Sequence, residues 1–386
     1  AGEMKEVVVA AGSDPARGIV EGAVYLVGTG DPGVTATFLT LGSCYGGLLA
    51  VAAMACKLPP IGFSPASTAA TASLPSDSAK IDDSSDALKK EVDSQTKADL
   101  TPESVQVTAS EATKTPQFWL LLGVMAGNAT AGLGIISSGK LLMSDCFSVT
   151  MPEVATPAVC ALFVSALAGA NTAGRLKWGL IGDRIGRRNT LLAFAVTSPA
   201  CAMIPIVIAA AAGSPELGSS PLIAFVVLMI WIIACYGGLF AVMPAYVADL
   251  YGSSNAGAIM GRLLCGYSAA AIAGPGMLAT LRSKGDWAAV EDLASKVDPS
   301  KFEATFGASP ERLHELWEKK TVTIQNLLAL VPPELGITDP THTLYSNTFY
   351  LMSGILGVAA MCSFATRPLS RAMLESIAKS RKGRGA

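Results

Sequence analysis

The sequence predicts an all-α integral membrane protein, because its composition is apolar and long uncharged intervals recur along it. Hydrophobic residues make up 51% of the chain and charged residues only 15%, whereas soluble proteins carry roughly 25% charged residues. A chain with this much apolar surface is expected to lie in a bilayer. Its formal net charge of -2 provides no basic surface for phosphates, so nucleic acid is not an expected partner.

Seven intervals without Lys, Arg, Asp or Glu are long enough to cross a bilayer. A hydrocarbon core roughly 30 Å thick requires about 20 mostly apolar residues in a helix. Lipid offers the backbone no hydrogen-bond partner, so spans are helices or barrel strands, and these intervals lack the alternation of barrel strands. A buried soluble helix would explain one interval but not all of them. The predicted spans are residues 34–56, 117–139, 154–174, 189–215, 217–248, 263–281 and 343–366.

The segments outside the spans predict four extramembrane regions. Residues 1–33 are expected to form an extramembrane loop segment. Residues 57–115 are rich in Ser, Thr, Ala, Asp and Lys, a composition that buries too little apolar surface to fold, so we expect a flexible linker. Residues 282–342 contain a Ser-Pro-Glu cap signal ahead of apolar residues at helical spacing, which predicts a partly helical insertion. Residues 367–386 form a basic tail.

Basic residues set the expected orientation, because short loops rich in Lys and Arg remain in the cytoplasm. The loop between the third and fourth spans and the tail 367–386 both carry such residues. With alternating spans, both lie on the same side as the linker 57–115, which is therefore expected to be cytoplasmic. The chain is predicted to be multi-pass, in the plasma membrane by default or in an organelle membrane.

One motif occupies the basic loop between the third and fourth spans. The sequence from 179 to 188 reads Gly-Leu-Ile-Gly-Asp-Arg-Ile-Gly-Arg-Arg. Its glycines permit a tight turn and close helix approach, and its aspartate can pair with the arginines near a helix end. Topology anchoring alone would explain the arginines but not the aspartate and glycines. The residues of this predicted gating motif are Gly179, Asp183, Arg184, Gly186, Arg187 and Arg188.

The motif resembles the signature of the major facilitator superfamily, GxxxD(R/K)xG(R/K)(R/K). Three further stretches, 115–134, 244–275 and 296–324, resemble the oxalate/formate antiporter-like (monocarboxylate transporter-like) branch of that superfamily. The resemblance implies the C-terminal six-helix half of the major facilitator fold plus one helix of the N-terminal half. It also implies that the motif gates one face of a transporter.

The resemblance implies a correspondence between segments. Residues 34–56 correspond to helix six, 57–115 to the central cytoplasmic linker, 116–281 to helices seven to eleven, and 343–366 to helix twelve. Helices one to five have no counterpart in this sequence. We therefore expect a truncated chain whose partner is the missing N-terminal half of the same transporter.

Polar side chains within the spans are the candidates for a substrate site. In the fold that the resemblance implies, substrate lies near mid-membrane between two halves that open alternately. Ionisable residues in spans are costly and mark ion or substrate paths, and Arg175, at the end of a predicted span, is the cation available to an anion. Each polar residue has an alternative role in bonding helices together. The candidates are Asn128, Arg175, Tyr236 and Tyr267, within a wider polar set that adds Ser137, Ser138, Asn171 and Ser268.

The sequence thus predicts a secondary active transporter for a small organic anion, such as a mono- or dicarboxylate, that works by alternating access in the lipid bilayer. No GxxxxGK(S/T) phosphate loop occurs, His314 and His342 have no evident nucleophile beside them, and no CxxC pair occurs. We therefore expect no enzyme activity, no cofactor and no metal. The alternative is a truncated, non-transporting, facilitator-derived membrane subunit or scaffold.

Overall fold

The structure is a computed structural model, which describes residues 7–9, 24–26, 34–55, 102–332 and 335–382. It divides into two compact units, residues 1–83 and residues 84–386. In the first unit, helix α1, Val34–Ala55, matches the first predicted span. Strands β1, Val7–Val9, and β2, Val24–Leu26, pair in antiparallel fashion. The rest of the segment 1–33 lies outside the described residues.

The second unit is helical wherever the structure describes regular elements. With α1, the described residues contain seven helical stretches that are long and apolar enough to cross a membrane. In the second unit these stretches are Pro116–Phe147, Pro157–Ile185, Arg187–Gly213, Ser220–Tyr251, Ala256–Ala294 and Pro340–Ala365. In chain order its helices are α2 (Pro102–Val105), α3 (Ala109–Ala112), α4 (Pro116–Phe147), α5 (Pro157–Ile185), α6 (Arg187–Ala193), α7 (Thr197–Gly213), α8 (Ser220–Tyr251), α9 (Ala256–Ala294), α10 (Pro299–Phe306), α11 (Leu313–Glu318), α12 (Ile324–Leu328), α13 (Ser346–Ala365) and α14 (Arg371–Lys382).

The starts of α4 and α5 follow from a shared Thr-Pro sequence. Thr115 and Thr156 have extended backbones, and their hydroxyls accept hydrogen bonds of 3.4 Å from the amides of Phe118 and Val159. Proline at the first helical position has no amide that needs a partner. At the other end of α5, Gly186 has a φ of 88°. Glycine adopts that backbone conformation readily, so the chain turns there into α6.

Several helices extend beyond the uncharged intervals that predicted them. Helix α4 passes through Lys140 and Asp145, α5 passes through Arg175, and α9 passes through Arg282 and ends at Ala294. An uncharged interval ends at the first charge, whereas a helix continues where long side chains reach water or a partner. The predicted insertion 282–342 therefore begins as a continuation of α9, and α10, α11 and α12 follow.

Two segments outside the spans contain helices that the sequence did not predict. The flexible linker predicted over 57–115 differs from the structure at 102–115, where α2 and α3 form and Val107 and Ala112 are buried. Residues 57–101 lie outside the described part. The basic tail contains helix α14, in which Leu374 and Ile377 are buried. The apolar residues of both segments are buried against the ends of the spans. The composition of each segment alone does not indicate these contacts.

Hydrogen bonds between helix ends show which ends of the spans lie on the same side of the second unit. The Thr115 and Tyr251 hydroxyls lie 2.8 Å apart, which joins the start of α4 to the end of α8. Arg188 donates to the carbonyl of Thr366 at 3.1 Å, which joins the start of α6 to the end of α13. Arg187 also pairs with Asp249 near the end of α8, so the motif loop, the segment 102–115 and the tail lie at one common end of the second unit.

Candidate functional site

An aromatic cluster lies about midway along the spans of the second unit. Tyr236 of α8 and Tyr267 of α9 pack edge-on against Phe240, with ring centroids 5.5 Å and 5.3 Å away. Tyr236 is buried, and Gly132 of α4 makes room for its ring, since an added Cβ would lie 2.4 Å from a ring carbon. The lack of a side chain at Gly132 therefore positions one of the two tyrosines.

Arg175 adds a positive charge to this cluster. Its guanidinium carbon lies 5.2 Å from the centroid of the Phe240 ring, within the range of a cation–π interaction. The side chain is exposed and forms no ion pair with the residues that the structure describes. The predicted span ended at residue 174, and α5 continues beyond Arg175 to Ile185.

Asn171 lies one helical turn before Arg175, on the same side of α5. Its side-chain oxygen is buried and has no hydrogen-bond partner among the described residues. The oxygen packs against α8, where a Cβ added to Gly237 would lie 2.6 Å from it. Buried polar atoms are normally hydrogen-bonded, so this oxygen is an unsatisfied acceptor at the contact between α5 and α8. Sequence reasoning placed Asn171 only in the wider polar set.

Other polar candidates are satisfied within their own helices. The side-chain amide of Asn128 donates to the carbonyl of Val124 at 2.9 Å, and the Ser137 hydroxyl donates to the carbonyl of Gly134 at 2.9 Å. Hydrogen bonds of this kind favour the alternative role of these polar residues, in which they stabilise helices and do not bind substrate. The contacts thus bring Arg175 and the two tyrosines together, while Asn128 makes none with them.

The cluster has the chemistry of an anion site. A guanidinium binds a carboxylate through charge-assisted hydrogen bonds, and its planar group also stacks on aromatic rings. The tyrosine hydroxyls can donate to further oxygens. The aromatic rings give the remaining surface an apolar character. A small organic anion has both properties, charge at one end and carbon at the other.

The gating motif joins three helix ends. Arg187, the first residue of α6, directs one terminal nitrogen to Asp249 at 2.6 Å and the other to Asp183 at 3.4 Å. Together with the bond from Arg188 to the carbonyl of Thr366, it links the end of α5 to the ends of α8 and α13. We refer to these contacts of Arg187 and Arg188 as the motif latch.

The other motif residues have less direct roles in the latch. Arg184 is exposed. A Cβ added to Gly179 would lie 3.6 Å from the Cβ of Ala241, an ordinary contact, so the close helix approach expected there is not tight. Sequence reasoning missed Asp249 as a partner. The available signal was its position at the end of a span that returns to the motif side.

A second ionic cluster lies at the opposite end of the spans, and the sequence did not predict it. Arg282 of α9 donates to a carboxylate oxygen of Asp145 at 2.7 Å, and the Tyr345 hydroxyl donates to the same oxygen at 2.9 Å. The Asp145 side chain is only 12% exposed. We call this group the outer brace, because it ties α4 and α9 to the start of α13.

These helices define an all-α, multi-pass integral membrane protein. No family model matches the chain. The chain is similar to the oxalate:formate antiporter of Oxalobacter formigenes, 25% identical over 180 residues that cover 46% of this chain and 39% of that protein. It is also similar to apicoplast pyruvate carrier 2 of Toxoplasma gondii, 32% identical over 113 residues that cover 28% of this chain and 16% of that protein.

The chain matches less than half the length of either relative. Both relatives are transporters by name, and neither is an enzyme. The comparison therefore supports a general role in transport across a membrane.

Proposed function

We propose that this chain is part of a secondary active carrier of the major facilitator type, which moves a small organic anion by alternating access. The observation that carries the proposal is an exposed arginine within a span, Arg175, which lies over the same Phe240 ring that Tyr236 and Tyr267 contact. A charge in hydrocarbon is costly, so its guanidinium faces an aqueous cavity and not lipid. Oxalate, formate and pyruvate, which name the relatives, are all carboxylates.

The proposed substrate is a mono- or dicarboxylate, and each residue of the cluster has a role in holding it. Arg175 binds one carboxylate group, and Tyr236 and Tyr267 donate hydrogen bonds to its oxygens or to a second polar group. Asn128 is the fourth substrate-site residue that the sequence predicts. Its side-chain amide donates to the carbonyl of Val124, so it can donate to substrate only after that hydrogen bond breaks.

The opposite wall of the cavity is proposed to come from the N-terminal half of the same carrier. The exposed side of α5 at Arg175 requires such a cover, because a bare guanidinium would otherwise face lipid. Rocking of the two halves opens the cavity to each side in turn. The motif latch, formed by Arg187 and Arg188, holds the helix ends of this half in one arrangement during that motion. The other residues of the predicted gating motif, Gly179, Asp183, Arg184 and Gly186, surround these two arginines in the sequence.

Uptake of radiolabelled oxalate and pyruvate into vesicles that contain the full-length protein tests the proposal. Arg175→Ala should reduce uptake about tenfold or more, the size expected for loss of a charge-assisted hydrogen bond. Lys177→Ala is the matched control, since Lys177 is another exposed cation on α5. Uptake no greater than in empty vesicles would reject the carrier and leave the scaffold alternative. Equal loss in both variants would reject the assigned role of Arg175.

A further inference from the structure

Helix α14 is fastened to the segment that leads into α4. Arg381 donates to the two carboxylate oxygens of Glu111 at 2.9 Å and 2.5 Å. It also donates to the carbonyls of Val105 and Gln106, at 2.9 Å and 3.0 Å. On the same face of α14 as Arg381, Leu374 and Ile377 are buried. We refer to α14, Arg371–Lys382, as the strap.

The segment beneath the strap is itself held in place. The amide and the hydroxyl of Thr108 both donate to the Glu111 carboxylate, at 2.9 Å and 2.7 Å. The amide of Val107 donates to the carbonyl of Tyr251 at 2.9 Å, which connects the segment to the end of α8. The hydrogen bond from Arg381 is the main cause that lowers the pKa of Glu111 from 4.5 to about 2. The fastening is therefore an ion pair at neutral pH.

Ser380 lies next to this ion pair. It precedes Arg381 in the strap, is exposed, and its hydroxyl makes no hydrogen bond with the described residues. It lines a cavity of about 440 Å³ to which Glu111, Lys114 and Arg381 also contribute. An enzyme can therefore reach the hydroxyl from solvent, and any group added there enters the surroundings of the Glu111–Arg381 pair.

We propose that Ser380 is a phosphorylation site and that its phosphorylation releases the strap. A protein kinase transfers the terminal phosphoryl group of ATP to the serine oxygen, so that an O–P bond forms, ADP leaves and the hydroxyl proton passes to solvent. The phosphate adds a charge of about -1.5 to -2. By the orientation that the basic loops predict, the strap lies on the cytoplasmic side, where ATP is present.

Two physical effects of the phosphate act against the strap. It lies in the same cavity as the Glu111 carboxylate, so the like charges repel and the phosphate competes for Arg381. It also lies in the last turn of α14, where the helix dipole disfavours negative charge. The segment 105–112 and the strap should therefore loosen together.

Hydrogen–deuterium exchange of the full-length protein, with phosphoserine incorporated at position 380, tests this release. We expect the amides of 105–112 and 374–381 to exchange about tenfold faster or more, the change expected when a charge-assisted hydrogen bond is lost. Phosphoserine at position 370 is the matched control, because it adds the same charge at the favourable N-terminal end of the strap. Unchanged exchange with phosphoserine 380, or equal acceleration by both, would overturn the proposal.

Mass spectrometry of the protein from its native membranes, isolated with phosphatase inhibitors, tests whether the site is used. We expect phosphate on Ser380 in peptides that span Glu375 to Arg381. Complete recovery of those peptides without phosphate would overturn the assignment. Neither measurement depends on transport, so failure of the carrier proposal would leave this inference standing.

Discussion

At the scale of single residues, the close packing of α4 around the Tyr236 ring determines the effect of a substitution at Gly132. A methyl group at Gly132 would lie 2.4 Å from the Tyr236 ring, so Gly132→Ala must displace that ring or part α4 from α8. Overpacking of this kind costs about 1–3 kcal/mol. We expect a lower unfolding temperature in detergent and a higher KM for carboxylate uptake. Gly169→Ala on α5, with nothing within 4 Å of the added carbon, should match the wild type in both measurements.

The charge of Glu111 should make the strap sensitive to acid. Its pKa in the folded protein, about 2, lies below its ordinary value of 4.5, so the carboxylate stabilises the strap above pH 4.5 and loses that effect as pH falls towards 2. The mobility of a nitroxide label on Lys379→Cys should rise over that pH range. With Glu111→Gln added, mobility should already be high at pH 7 and change little on acidification. A parallel pH response in the two proteins would contradict this account.

At the scale of helices, the outer brace should stabilise the packing of α4, α9 and α13. Asp145→Ala leaves the half-buried guanidinium of Arg282 and the Tyr345 hydroxyl without their shared acceptor. Loss of such a partner costs about 1–3 kcal/mol. Thermal unfolding in detergent should show the loss, and Glu291→Ala, which removes an exposed carboxylate of α9, should not. Asp145→Asn should fall between them, because its amide oxygen still accepts one bond.

The spans were predictable because the requirement of hydrocarbon is local: each helix needs its own run of apolar residues. The ends of the helices were not predictable, because they depend on contacts with residues distant in sequence. Helix α9 continues past residue 281 because Arg282 finds Asp145. The segment 102–115 folds because Val107 is buried and its amide reaches Tyr251. Neither partner is identifiable from the composition of the segment itself.

At the scale of the whole molecule, the candidate site was predictable in its residue types and not in its arrangement. Polar residues within spans are rare enough to select Arg175, Tyr236 and Tyr267 directly from the sequence. Their convergence on Phe240 depends on how α5, α8 and α9 cross, which spacing along one helix does not determine. Asp249 was visible in the sequence, but its pairing with Arg187 requires that α5 and α8 end at the same level.

The orientation of the second unit follows from its shared helix ends and can be tested by cysteine labelling. Lys114, just before α4, and Glu311, in the insertion beyond α9, are both exposed. Since the basic motif loop and tail lie with Lys114, the positive-inside rule places Lys114 in the cytoplasm and Glu311 outside. The full-length protein, expressed at the surface of intact cells, should react with a membrane-impermeant maleimide at Glu311→Cys. Lys114→Cys should react only after permeabilisation.

The labelling requires a background in which exposed Cys44 and Cys265 are replaced by Ser, and that background without new cysteines is the control. Charge governs orientation most strongly in short loops, whereas the insertion is long and obeys the rule weakly. The motif loop should therefore dominate, and Lys-to-Gln changes in the insertion should leave the labelling pattern unchanged. A reversed pattern, with Lys114→Cys labelled in intact cells, would place the motif latch and the strap outside the cell, beyond the reach of ATP and kinases.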